Sequence, residues 1–104
     1  MAKKQKSTTA PAENGLIHFR LSRHAEWEMS RRGIALALVQ AVSDHPEQRQ
    51  VDESRPDRWI HQSRLRFEDG KIYLLRVVVD ENEEPPVIVT VYRTSKIEKY
   101  WSAE

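Results

Sequence analysis

The chain predicts an α+β fold: two N-terminal helices packed on a four-stranded antiparallel sheet, closed by a short C-terminal helical turn. Three observations carry this. Residues 22–46 hold two stretches with helical spacing of apolar residues, each bounded by start or stop signals. From Arg58 onward, β-branched and aromatic runs take over. Between two of those runs stands Asp69-Gly70, the strongest short hairpin signal in the sequence.

In order along the chain, residues 1–14 are polar, lysine-bearing and without periodicity, which predicts a disordered basic tail ahead of one domain at 15–104. Leu16–Leu21 reads as a short strand or an extended lead-in. Ser22 then caps a helix over 23–32, its hydroxyl accepting a free backbone N–H. Gly33 follows, where a left-handed residue commonly ends a helix. Ala25 and Met29 share one face of it, flanked by Trp27. A second helix spans about 36–43 with Leu38, Val39 and Val42 inward. His45-Pro46 stops it, because the residue before proline avoids the α region.

The rest reads as sheet. Gln48–Asp52 is a weak, polar strand suited only to an edge. Arg58–Phe67 and Lys71–Val79 form the hairpin around Asp69-Gly70. Glu81–Pro86 is an acidic, proline-ended loop, and Val87–Arg93 is the last strand. From Ser95 the chain predicts one or two helical turns.

Composition narrows the functional classes. The 104 residues suit a single domain with a modest core, since 38% are hydrophobic and 32% charged. With no cysteine, disulfides, thiolate nucleophiles and zinc–thiolate centres are all excluded. No apolar run approaches the ~20 residues that span a bilayer. Lys3, Lys4 and Lys6 have no hydrophobic segment behind them, so no secretory signal is read and the expected location is the cytoplasm. The net charge is +1, and the tail carries three lysines against one glutamate, which leaves the remainder near −1. A strongly basic, nucleic-acid-coating domain is excluded, so any anion site must be local.

Alternation in the strands sets the neighbourhoods. If Asp69-Gly70 is a two-residue turn, Glu68 faces Lys71, Ser63 lies opposite Arg76 and His61 opposite Val78. Trp59, His61, Ser63, Leu65 and Phe67 then share a face with Ile72, Leu74, Arg76 and Val78. A slip of one residue would move all of them. Lys71–Val79 is apolar almost throughout, as a central strand covered on both sides should be. Arg76 interrupts it. A guanidinium there needs a partner or an opening to water: either a carboxylate on a neighbouring element or a phosphate, which its planar fork suits.

His24, in the first turn of the first helix, has the chemistry of a general acid or base and equally that of a polar helix-start residue. Of Arg31 and Arg32, one is explained by the helix C-terminus, where cations are favoured. Histidines 18, 24, 45 and 61 have no metal-ligand spacing, so no metal or other cofactor is expected. Thr94, Ser95 and Lys96 leave the last strand as a polar rim suited to phosphate contacts, while Ile97, Tyr100 and Trp101 read as a seal on the core.

The stretches SRHAEWEMSRRGIALALVQAVSDHPEQ and LLRVVVDENEEPPVIVTVYRTSKIEKYW carry a pattern of Ser-x-His-Ala, Arg-Gly-Ile, a short helix and an Asp-x-Pro turn. Over residues 20–101 this resembles family 4258 of the domains of unknown function. That family is similar to the RelE, ParE and BrnT toxins, which share a fold with ribonucleases such as barnase, EndoU and the colicin nucleases. The resemblance implies metal-independent RNA cleavage by attack of a 2′-hydroxyl on the adjacent phosphate. By position, His24 would be the acid/base, Arg32 and Arg76 phosphate clamps, with His61 assisting. Tyr92, Thr94 and Lys96 would meet nucleic acid at the end of the last strand. The chain departs from the pattern at Glu28, where family members often carry arginine. Glu28 points away, pairs with Arg32, or serves as a base. Two functions follow as expectations: a toxin-like endoribonuclease, or a non-catalytic module that binds RNA or a protein partner such as an antitoxin.

Overall fold

The computed structural model describes residues 19–103. The expected tail at 1–14, the beginning of the lead-in and the final residue lie outside that range. The elements run β1 (Arg20–Leu21), α1 (Arg23–Arg32), α2 (Leu36–Asp44), β2 (Gln48–Val51), β3 (Arg58–Arg66), β4 (Ile72–Asp80), β5 (Val87–Thr94) and α3 (Ile97–Tyr100). The fold is α+β, as expected. The sheet, however, has five strands in the order β1-β5-β4-β3-β2, and one edge is parallel. The lead-in is a true strand: Arg20 and Leu21 pair with Val87 and Ile88 of β5. A two-residue strand has no periodicity to read, and its pairing is a long-range event.

Local signals placed the helices. The Ser22 hydroxyl accepts the Ala25 N–H at 3.0 Å, and Gly33 ends α1 in the left-handed region at φ 67°. The same Ser22 hydroxyl donates to the Val89 carbonyl at 3.2 Å. Val89 is the extra residue of a bulge, since Val78 pairs with Thr90 and Val79 with Ile88. Thus one side chain both starts α1 and ties it to β5.

Helices α1 and α2 cover one face of the sheet. Ala25, Met29, Ile34, Val39 and Val42 meet Leu75, Val77, Val79, Ile88 and Val91 in the core. The second helix is anchored by Val39 and Val42 as predicted, with Leu38 only half-buried.

The β3–β4 turn corrects the predicted register. Arg66 pairs with Ile72, so Gln62 faces Arg76 and His61 faces Val77. The turn has three residues, Glu68–Gly70, closed by Gly70 N–H to the Phe67 carbonyl at 2.9 Å. Gly70 sits at φ 83°, which favours a residue without a Cβ. Asp69 accepts the Lys71 N–H at 2.9 Å and the Tyr73 hydroxyl at 2.6 Å, so its side chain serves the longer loop. With one extra residue, every β3 side chain changes face relative to β4.

Candidate functional site

Alternation along β4 sends Leu75, Val77 and Val79 into the core beneath the helices and Arg76 to the reverse face. Arg76 is only 6% exposed, yet no carboxylate among the described residues pairs with it. Its Nε–H donates to Gln62 Oε1 at 2.8 Å, Nη1 to the Tyr92 hydroxyl at 2.6 Å and Nη2 to Gln50 Oε1 at 3.2 Å. The Tyr100 ring lies over the guanidinium at 4.2 Å. The buried cation is therefore held by neutral dipoles and a π face. Three of its five N–H groups are used within the chain. The Tyr92 oxygen accepts from Arg76, which leaves the phenolic hydrogen free to donate elsewhere.

A ladder of glutamines supports this network. Gln62 donates to Gln48 Oε1 at 2.8 Å and to the Tyr100 carbonyl at 3.1 Å. Gln50 donates to the same carbonyl at 3.1 Å and to the Ser102 hydroxyl. Gln48 exchanges hydrogen bonds with the Ser102 backbone at 2.8 and 3.0 Å. The C-terminal segment is thereby fastened across the reverse face. Arg64 stacks on Trp101 at 4.1 Å nearby. Tyr100 and Trp101 thus cover the sheet on the side away from α1 and α2. Sequence reading passed over Gln48, Gln50 and Gln62. The signal was there in the period of two between Gln48 and Gln50, on a strand otherwise too polar to explain.

The other expected site residues lie elsewhere. His61 points to the helix side, where its Nδ1 donates to the Ser43 carbonyl at 3.0 Å and its Nε2 accepts from Arg49 at 3.4 Å. That pair of partners fixes a neutral tautomer. Burial, partly offset by the Ser43 bond, lowers its pKa from the usual 6.5, and the Arg49 charge adds to the lowering. The sequence-based placement of His61 beside Arg76 does not hold: they stand on adjacent strands and opposite faces.

His24 and Arg32 are on α1, across the sheet from Arg76. Glu28, 8% exposed, gathers the cations there. It accepts from Arg32 Nε at 2.5 Å and Arg31 Nη2 at 3.1 Å, with His24 Nε2 at 3.6 Å. Of the readings open for Glu28, the structure realises the ion pair with Arg32. The Arg32 hydrogen bond, followed by the charges of Arg32 and Arg31 working against desolvation, holds the Glu28 carboxyl below its usual range. Trp27, 55% exposed, lies beside His24 and under Arg31 on the same outer face.

Tyr92 and Thr94 share the reverse face with Arg76, and Lys96 is exposed just past the strand. The structure therefore joins Arg76, Tyr92 and Thr94, and separates them from His24, Arg32 and His61. Charge is also sorted along the strands. The β2–β3 and β4–β5 connections carry Asp52, Glu53, Asp57, Glu81, Glu83 and Glu84 at one end, moderated by Arg55. The opposite end holds Arg32, Arg66, Lys71, Arg93 and Lys96 against Glu68 and Asp69. A near-neutral total conceals this polarity.

No group of histidine, cysteine or carboxylate side chains among the described residues is arranged to hold a metal. No helix among them is long and apolar enough to cross a membrane. Neither a curated protein nor a solved structure matches the chain. The family model described as Domain of unknown function (DUF4258) matches residues 21–93, from β1 through all but the last residue of β5. The matched segment takes in the α1 cluster, Arg76 and Tyr92, and the chain belongs to the DUF4258 family.

Proposed function

We propose that this domain is a toxin-like RNA-binding module that takes phosphate on the reverse face of its sheet, with Arg76 as the central cation. One observation carries the reading: Arg76 is buried, charged and without a carboxylate among the described residues, held in position by Gln62, Gln50 and Tyr92. Burying a cation without a counter-ion is costly, and a phosphate supplies the missing charge. Access runs past Tyr100. Helix α3 is a single turn held through the Tyr100 carbonyl and Ser102, so a bound strand exchanges its own bonds to Gln48, Gln50 and Gln62 for those and a base takes the place of the tyrosine ring. Thr94 and Lys96 at the strand end take the neighbouring phosphates. An antitoxin-type partner would act by covering the same face.

The test is RNA binding by fluorescence anisotropy with a mixed-sequence strand at two salt concentrations. Affinity should fall steeply with salt, and Arg76→Gln should weaken it by about tenfold or more while the variant still melts cooperatively. RNA bound equally well by the variant would sink the assignment.

Metal-independent cleavage is the second reading, favoured by the Tyr92 hydroxyl. It accepts from Arg76 and keeps its own proton free to give to a leaving 5′-oxygen, while Arg76 holds the phosphorane charge and the attacking 2′-hydroxyl gives up its proton to solvent water. In this version His24, Arg32 and His61 take no part. Incubation with RNA in EDTA should then release 2′,3′-cyclic phosphate ends, and Tyr92→Phe should stop cutting but not binding. Intact RNA with wild-type protein leaves the binding module alone standing.

A further inference from the structure

A second cationic feature lies on the helix side of the sheet, away from Arg76. Between the α1–α2 turn and the β3–β4 hairpin runs a groove of about 350 Å³ whose lining includes Arg32, Arg66, Arg93, Phe67, Glu68 and Asp69. Arg93 pairs with Leu75 across the sheet and so emerges on the face opposite to Arg76. Its guanidinium lies over the Phe67 ring at 4.5 Å and the Tyr73 ring at 4.6 Å. Among the described residues it makes no hydrogen bond or ion pair. Two aromatic faces thus orient the fork and leave its N–H groups uncommitted, the arrangement that best suits an incoming planar or tetrahedral oxyanion.

The two other arginines are also only partly engaged. Arg32 spends its Nε–H on Glu28, and Arg66 donates from Nη1 to the Gly70 carbonyl at 2.7 Å. Glu68 and Asp69 keep their charge in the groove, where the three arginines outnumber them by one. Asp69 has both oxygens occupied, one by the Lys71 N–H and the other by the Tyr73 hydroxyl, and only Glu68 stands free among the described residues. Leu38 and Ala35 give the groove an apolar wall beside the cations.

We infer that this groove binds the phosphate monoester of a nucleotide. A monoester dianion offers three terminal oxygens to several forks at once, while the apolar wall accommodates the base or sugar. The carrier is either a free mononucleotide or the terminal phosphate of an RNA strand. This assignment stands apart from the Arg76 reading. Arg93 and Arg32 lie on the helix side, Arg66 lines the groove only at the hairpin end, and among the described residues none of them shares the Arg76 partners Gln62, Gln50 and Tyr92.

The experiment is titration of the whole chain with adenosine monophosphate, following the arginine Nε–H resonances by NMR, with adenosine as the uncharged control. The monophosphate should move the Arg93 and Arg66 signals, and adenosine should leave them in place. Arg66→Gln, at an exposed position, should weaken binding by about tenfold without unfolding the protein. The readout is taken at Arg93 and Arg66, so phosphate taken by Arg76 does not register in it. Glu68→Gln should bind more tightly. Equal responses to nucleotide and nucleoside, no response to either, or full affinity in Arg66→Gln would overturn the proposal. An RNA dinucleotide with and without a 5′-phosphate then names the carrier: preference for the phosphorylated form over the mononucleotide identifies an RNA end, and the reverse order a free nucleotide.

Discussion

Gln62 stands directly across the β3–β4 ladder from Arg76 and accepts its Nε–H at 2.8 Å. Both side chains are buried on the face away from α1 and α2. A neutral amide therefore orients a buried cation, and its own NH2 group continues to Gln48 and to the Tyr100 carbonyl. Arg76 is thus joined through one residue to the segment that covers it.

Gln62→Leu should show how strongly this network is coupled. The change strands the Arg76 Nε–H and releases two bonds to β2 and the C-terminal segment. The expected loss is about 1–3 kcal/mol of unfolding free energy, read from urea denaturation. Combining it with Arg76→Met should cost less than the sum of the single changes, because the stranded donor is gone. Strict additivity would show that the two side chains do not act as a unit.

His61 should make the fold sensitive to mild acid. Its folded pKa lies below the unfolded value near 6.5, so the unfolded chain binds the proton more readily. Stability is therefore full above about pH 6.5 and declines as pH falls from there through the lowered pKa. His61→Gln retains a donor for the Ser43 carbonyl and cannot titrate. Its melting temperature should change less than that of the wild type over this window, and parallel profiles would refute the assignment.

Glu28 should act in the same sense at lower pH. Its folded pKa lies below the ordinary 4.5, so the contribution of its cluster is present above that value and is lost as pH falls through the folded pKa. Glu28→Gln should flatten that part of the profile, since it cannot carry charge beside Arg32, Arg31 and His24. Thermal melts between pH 3 and 5 provide the comparison.

Gly70→Ala isolates the cost of the hairpin backbone. A Cβ at this position would meet no atom within 4 Å, so crowding adds nothing. The φ of 83° remains, and its strain should cost roughly 1–2 kcal/mol. A change within error in chemical denaturation would mean that the turn relaxes to another type.

The elements themselves were legible because their causes are local. Ser22 and Gly33 bound α1 through contacts within four residues, and His45-Pro46 stops α2 at Asp44. The apolar run of β4 announced a strand covered on both faces, and the polarity of Gln48–Val51 announced an edge. The lone arginine in ILLRVVV was likewise visible as a residue in need of partners.

The site was less legible, for a reason of geometry. Asp69-Gly70 is compatible with loops of two or three residues, and the choice rests on Asp69 bonding to Lys71 and Tyr73. One residue of difference carries His61 beneath α2 and brings Gln62 to Arg76. The pairing of β1 with β5, and the passage of the C-terminal turn over the reverse face, also depend on groups distant in the chain. The sequence by itself determined the strands, the helices and the need to accommodate a buried cation, because propensity, capping and alternation act over a few residues. Only the tertiary structure decided which face that cation occupies and what surrounds it, because strand alternation turns a single step of register into a change of sides.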